Sequence, residues 1–594
     1  MPDLTEIKKM AMLRYGLLVL LAASVYATTI NHGFVWDDNN IIVQNPLLEK
    51  LGNIPRIFLS EDTAMGFTGY YRPVTYLSFA MDRAIWGMNP AGFHLTNLIL
   101  HVVAVLLYHS VITALFKDER LAFAASLIFA LHPVAGETVN FLAGGRNTLL
   151  AACFALLSLL CYLKNKLVPA VASFTIAIFS KEFALLLPMV FLFSDYRLQR
   201  RRVRISSYIP FLIPITCYLT LRAVAVRNAN FLTTVNLADS LAAPYLVIRY
   251  ALNMILPIRL RVIYDLHPAV LTSMLSLCLI IALLAALYVF RKHVAILFSA
   301  FWFLLFLLPV INIIPLDSAS LMADRYAYFS LMGFSLFLAT LICMLNGRAV
   351  VVGVAILCLT YSFVDLQRNG IWKNDTEFFT RMTMDAPEKF DGFQNLGMFY
   401  YRKGEIGRSL PYLTAALSKP DIPAMFLIGS ASVFWKENIL GEAEKSLLMA
   451  LKLEPANPEP YLMLITMYEQ NGNNTLAASY RDVAERRFHD VDKRLARRGD
   501  LLCREGEVYL SRKLIVPAEN VFWQSLQINP YNIPALLGMG QVYAARGEFA
   551  NASRYCRKVL ALDPANARAH YCLSMIYGME GRSEEAEREM KKSR

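Results

Sequence analysis

Charge is scarce in this chain. Asp, Glu, Lys and Arg make up 18% of its 594 residues, against 56% apolar residues, where a soluble domain carries nearer a quarter charged. That balance excludes a soluble enzyme, a disordered chain and a collagen-like fibre, and leaves a polytopic membrane protein. No Cys-x-x-Cys pair occurs among the nine cysteines, so zinc and thioredoxin-like readings lack support. Cys153, Cys161, Cys217, Cys278, Cys343 and Cys358 fall in apolar runs, where a thiol packs as a small hydrophobe. There is no Walker loop, dinucleotide-binding Gly fingerprint, HExxH helix or GxSxG elbow. The net charge of +12 comes without a basic–aromatic motif. Nucleic acid is therefore not expected as a partner, and the charge reads as membrane topology.

Hydrophobic runs fill the chain to about Phe363, and from Arg368 it reads as soluble helix. The first run, Met12 to Ile30, follows Lys8, Lys9 and Arg14 and lacks a small-residue cleavage site before Asn31, so it is expected to stay as a first membrane helix. Further spans are expected near 95–116, 121–142, 147–163, 168–180, 183–196, 207–226, 242–258, 271–290, 294–314, 326–345 and 349–365, or about 11 to 13 crossings of ~20 residues each. Lys117/Arg120, Lys164/Lys166, the Arg197–Arg204 run, Arg291/Lys292 and Arg348 mark one side as cytoplasmic. The loop 31–92 and the C-terminal domain then lie on the other side. An extra half-span is needed within 222–270.

From about 387 to the end a period of about 34 residues appears. Leu537, Gly540, Tyr543, Gly547, Ala552 and Pro564 occupy the small and large positions of a tetratricopeptide repeat, and six units fit. Small residues let paired helices approach, Tyr or Phe fills the gap, and the stack forms a groove suited to an extended polypeptide. The expected architecture is all-α: a membrane domain over 1–370, a linker over 371–386 and an α-solenoid over 387–594.

Chemistry is expected in the outer loops. Asp37 and Asp38 are adjacent carboxylates just past the first helix. They suit a general base or a cation site at the membrane surface, and equally an Asx turn capping a helix. Isolated outer arginines (Arg72, Arg83, Arg146, Arg222, Arg249 and Arg325) are candidate phosphate ligands, or else ion-paired or snorkelling side chains. His94 and His101 share a helix face, as packing residues or a metal-ligand pair would. His132, Glu137 and Arg146 fall near one outer membrane edge. Lys181 and Glu182 break an apolar run, and ionisable groups at that depth mark function.

The phrases FVWDD, YYRPVTYLSF, FHLTNLILH, LHPVAGETVNFLAGGRNTLLA, SKEFALLLP, MADRYAYFS and RNGIWKND occur in that order ahead of the repeats. Together they resemble the transmembrane and tetratricopeptide-repeat-containing O-mannosyltransferases, and the six-unit array resembles a bacterial relative. The resemblance implies an inverting GT-C glycosyltransferase with a polyprenyl- or dolichyl-phosphate sugar as donor. It implies mannose or another hexose as the sugar, and Ser or Thr hydroxyls of exported proteins as acceptors. It assigns catalysis to Asp37 and Asp38. His132, Glu137, Arg146, Lys181, Glu182 and Arg325, with Arg72, would hold the donor. The membrane would be a bacterial inner membrane with periplasmic repeats, or endoplasmic reticulum with lumenal repeats. No cofactor is demanded, and a divalent cation is left open. The rival readings are the same chemistry on a glycan or lipid acceptor, and a non-enzymatic membrane scaffold.

Overall fold

The computed structural model describes residues 4–59, 70–199, 204–225, 240–313, 320–345 and 347–593. The chain divides into two compact units, Met1–Ala386 and Pro387–Arg594. Among the described residues all regular structure is helical.

Among the described residues of the first unit, six helices are long and apolar enough to cross a membrane: Lys9–Asn31, Pro90–Phe116, Leu142–Leu163, Val270–Val289, Asp324–Cys343 and Gly347–Trp372. The other expected spans are shorter or broken helices. At ~1.5 Å per residue, a helix needs about 20 residues to cross the hydrocarbon core. Leu167–Ser180 has 14, Ala243–Ile255 has 13, Val294–Leu307 has 14, and Ile209–Ala225 has 17 with Pro214 inside it. The expected span 183–196 is a 3-10 turn, the seven-residue helix Leu187–Phe193 and a π turn. The expected span 121–142 breaks in the middle. Glu119–Leu131 ends where His132 becomes extended, at φ −78° and ψ 127°, ahead of Pro133, whose ring disfavours helix before it. The chain resumes as the six-residue helix Ala135–Asn140. Broken backbone at membrane depth is tolerated only inside protein, and every residue from 132 to 140 is buried. Residues 200–203 of the basic run, and 226–239 of the region expected to hold a half-span, lie outside the described residues.

Close helix approach carries the packing. A Cβ on Gly333 would lie 2.6 Å from the Phe303 backbone nitrogen and 2.7 Å from the Ser299 carbonyl oxygen. The Asp324–Cys343 helix therefore meets the Val294–Leu307 helix backbone to backbone, as small residues allow in membrane helices.

The segment expected as a linker, 371–386, is ordered helix. The turn Gly370–Trp372 leads into Asp375–Asp385. The Asn374 side chain caps that helix by accepting the Glu377 N–H at 2.9 Å. Trp372, Phe378, Phe379 and Met382 are buried. At its far end the Asp385 carboxylate accepts the Val262 N–H at 2.8 Å, and its carbonyl accepts Arg261 at 2.9 Å.

The second unit is six helix pairs: Asp391–Arg402 with Ile406–Leu417, Ala424–Lys436 with Leu440–Leu453, Pro458–Gln470 with Asn474–Phe488, Val491–Ser511 with Ile515–Ile528, Ile533–Ala545 with Phe549–Leu562, and Ala567–Met579 with Ser583–Lys592. The turns within the last two pairs place Gly547 and Gly581 at φ 77°, a left-handed value that glycine adopts without strain. Asn532 and Asn566 cap the helices that follow them, each accepting a backbone N–H at 3.1 Å. Phe522 fills the space between neighbouring pairs. A Cβ on Gly538 would sit 2.3 Å from its ring, and one on Gly506 2.5 Å away. Gly538→Ala is therefore expected to cost about 1–3 kcal/mol by overpacking. A circular-dichroism melt of the full-length protein reads this as a lower midpoint, and an unchanged midpoint would mean that Phe522 moves aside freely.

Candidate active site

The loop after the first membrane helix takes its shape from one strained residue. Trp36 has φ 51°, a region that bulky L residues avoid. Its N–H donates to Asp375 Oδ1 at 2.8 Å. The Asn39 amide donates to Asp375 Oδ2 at 3.2 Å and to the Trp36 carbonyl at 3.3 Å. The indole lies between Phe141, with centroids 5.5 Å apart and planes 15° from parallel, and Phe378 at 5.4 Å. Trp372 closes the cluster, 5.4 Å from Phe141 and 4.8 Å from Phe378.

Between Trp36 and Asn39 the two carboxylates have different surroundings. Asp38 is 0% exposed. One of its oxygens accepts the Val35 N–H at 3.1 Å, and the other accepts the Ala143 N–H at 2.7 Å. Ala143 is the second residue of the Leu142–Leu163 helix, so Asp38 caps that helix from 105 residues away in sequence. The capping alternative thus describes Asp38, although the helix it caps is a distant one. Burial raises its pKa well above the usual carboxyl value, and the two backbone donors oppose the rise. Asp37 is partly exposed, and its side chain makes no hydrogen bond among the described residues. Burial raises its pKa too, and the Arg325 charge pulls it back.

Three cations cluster in this region, and the charge of Arg325 acts on Asp37. Arg72 meets Glu182 through two bonds, at 3.0 and 2.6 Å, and lies 4.2 Å over the Tyr70 ring. Arg325 pairs through its guanidinium with Glu137, whose second oxygen accepts the Arg325 backbone N–H at 3.1 Å. Lys181 is 2% exposed. It donates to Thr148 Oγ1 at 2.7 Å and sits 4.3 Å over the Phe183 ring. Its charge interacts with Arg72, Glu182, Arg325 and Glu137, and Asp37 interacts with Arg325. The fold thus gathers Asp37, Arg72, Glu137, Lys181, Glu182 and Arg325. Each Arg is matched by a Glu, while Lys181 keeps two N–H donors beyond the bond to Thr148.

His132 and Arg146 are engaged elsewhere. His132 uses one ring nitrogen on the Met254 carbonyl at 2.9 Å and accepts the Val134 N–H at 3.2 Å with the other, under Tyr361 at 4.5 Å. Arg146, fully buried, is taken up by Asp82 at 2.6 Å, Asn97, Ser78 and the Phe93 carbonyl. Both brace the helices behind the cluster. His94 and His101 each bond a carbonyl, of Gly33 and Ala130. Among the described residues no three His, Cys, Asp or Glu side chains converge as metal ligands. Asp375, inside the phrase RNGIWKND, was not singled out as a site residue in the sequence, while Asp324, in the phrase MADRYAYFS, accepts Tyr264 at 2.7 Å and Arg368 at 3.1 Å.

Substituting an amide separates the two acids. Asp38→Asn turns an NH2 toward a backbone donor and is expected to cost about 1–3 kcal/mol. Asp37→Asn meets no such donor and is expected to keep or raise the melting midpoint. Because the folded pKa of Asp37 is raised, its ionisation opposes folding. Stability then falls as pH climbs from the free-carboxyl range through the raised value, and Asp37→Asn removes that part of the slope. Melts of the two variants from pH 4 to 8 check both statements.

The comparisons agree with this architecture. Tetratricopeptide-repeat models match residues 533–566 and 555–588. Protein O-mannosyl-transferase TMTC2 of Mus musculus is 36% identical over 150 residues, covering 24% of this chain and 18% of that protein. A protein O-mannosyl-transferase of Caenorhabditis elegans is 31% identical over 161 residues, 25% of this chain and 23% of that one. The chain thus spans less than a quarter of the length of these curated relatives. A solved tetratricopeptide repeat protein from Parabacteroides merdae shares 18% identity over 34% of this chain and 78% of its own, with a TM-score of 0.17. Over about a quarter of its length the chain is thus similar to protein O-mannosyl-transferases, and it carries tetratricopeptide repeats and helices of membrane length.

Proposed function

We propose that the first unit is an inverting GT-C glycosyltransferase. It moves a mannosyl residue from a polyprenyl- or dolichyl-phosphate carrier to a Ser or Thr hydroxyl of a polypeptide, on the non-cytoplasmic side of the membrane. One observation carries this reading. A carboxylate with no side-chain hydrogen bond among the described residues, Asp37, interacts with the Arg325 charge, and Arg325 in turn belongs to a cluster with Arg72 and the buried Lys181.

In the reaction the acceptor hydroxyl attacks the anomeric carbon on the face opposite the phosphate. Asp37 takes the hydroxyl proton, and the bond from the anomeric carbon to the phosphate oxygen breaks. The carrier leaves as a phosphate monoester with one more negative charge than the diester it came from. Lys181 is the cation with free donors for that charge, and Arg72 and Arg325 add positive potential around it. Charge that grows in the transition state is where such groups accelerate a reaction most. Asp38 acts through the backbone, holding the loop to the Leu142–Leu163 helix.

The repeats are read as the acceptor's docking site. The last two helix pairs enclose a hollow of about 710 Å³ whose lining includes Leu537, Gln541, Arg568, Tyr571, Met575 and Met579. Apolar walls with a few polar groups suit an extended peptide.

Asp37→Asn is expected to lower transfer from dolichyl-phosphate mannose to a Ser/Thr peptide by about 10²–10⁴-fold, and unchanged turnover would overturn the assignment. The base must be ionised, so the rate falls as pH drops through the folded pKa of Asp37. The acid limb is then expected above the ordinary carboxylate range. Removing 387–594 is expected to raise KM for a protein acceptor while leaving carrier-sugar turnover with a short peptide in place. Equal KM values would remove the repeats from acceptor binding.

A further inference from the structure

We propose that Asp375 is a positioning residue for the base, holding Asp37 in place from a helix more than 330 residues away in sequence. The inference rests on the reading of Asp37 given above. The two residues that flank the acidic pair, Trp36 and Asn39, both donate to Asp375. Its carboxylate therefore brackets Asp37 and Asp38 from both ends. Asn39 also returns a bond to the Trp36 carbonyl, which closes a small ring of contacts around the residue at φ 51°. Without that ring, Trp36 has an open route back to an ordinary conformation, and Asp37 would swing with it.

Two further observations separate this role from simple helix capping. Asp375 begins its helix, but the neighbouring Asn374 supplies the side-chain cap, and the Asp375 carboxylate accepts from the loop. The helix is also fixed as a bracket needs to be. Asp385 ties its far end to Arg261 and Val262, and Phe378 packs on both Trp36 and Trp372. The segment after the last membrane helix thus completes the loop that carries the base.

The test exchanges the two partners. In Asp375→Asn the amide NH2 faces the NH2 of Asn39. In Asn39→Asp two carboxylates face each other. In the double variant the amide oxygen introduced at position 375 still accepts the Trp36 N–H, and the NH2 beside it donates to the carboxylate introduced at position 39. Full-length protein in lipid vesicles is followed by hydrogen exchange of the peptide spanning 34–39, and by transfer from dolichyl-phosphate mannose to a Ser/Thr peptide. Each single variant is expected to exchange faster there and to turn over about 10- to 100-fold more slowly, with donor KM unchanged. The double variant restores the contact with position 375 but not the bond to the Trp36 carbonyl, so it is expected to recover both readouts in part and to lie clearly above either single variant. Native exchange and turnover in Asp375→Asn, or a double variant as impaired as the singles, overturns the proposal. If Asp375→Asn fails to accumulate, the double variant decides alone: folded and active supports the proposal, and absent or inactive overturns it. Full turnover in Asp37→Asn would instead strike the choice of base, while the exchange data would still judge the hold of Asp375 on the loop.

Discussion

Asp38 joins the loop that carries the chemistry to the helix behind it. Its two oxygens each take a backbone N–H, one from its own loop and one from the start of Leu142–Leu163. A buried carboxylate is costly unless its lone pairs are met, and these two donors are otherwise orphans of a turn and a helix end. Each side satisfies the other, so the loop has one register against the helix. With Asp38 so used, Asp37 is the carboxylate left to interact with Arg325.

The same logic sorts the other buried charges. Arg146 and Asp82 form a closed pair whose remaining guanidinium donors go to Asn97, Ser78 and a carbonyl. Removing one partner of such a pair costs about 3–5 kcal/mol, because the other is stranded in low dielectric. Arg72–Glu182 and Arg325–Glu137 are also paired but keep part of their surface open, with side-chain exposures of 17 and 25% and of 12 and 1%. Lys181 breaks the symmetry as a buried cation whose direct partner is a hydroxyl. Glu182 and Glu137 act on its charge through space, and each is already paired with an arginine.

The short helices follow from this arrangement. A helix that runs straight through the membrane presents its polar groups only to its neighbours. Ending Leu167–Ser180 at Lys181, and breaking the chain at His132-Pro133, turns polar residues into the interior at an angle that a continuous helix does not allow. The freed backbone groups are met inside the protein: Lys181 N–H returns to Ala177, and Ala135 N–H to His132.

Much of this was legible in the residues themselves. The apolar fraction announced the membrane, and the spacing of Gly, Ala, Tyr and Pro announced six repeats, because helix pairing has a fixed period. The acidic pair and the Lys181-Glu182 break stood out as charges in apolar context. Residue order alone left open which Asp is free, that His132 and Arg146 face inward, and how many helices reach membrane length. Each of these depends on what a side chain meets across the fold. Asp38 and Ala143 lie 105 residues apart, and Asp375 and Trp36 lie 339 apart. A carboxylate reads the same in sequence whether it caps a distant helix or waits for a proton. Only the tertiary structure, by bringing two backbone donors to one acid and none to its neighbour, tells them apart.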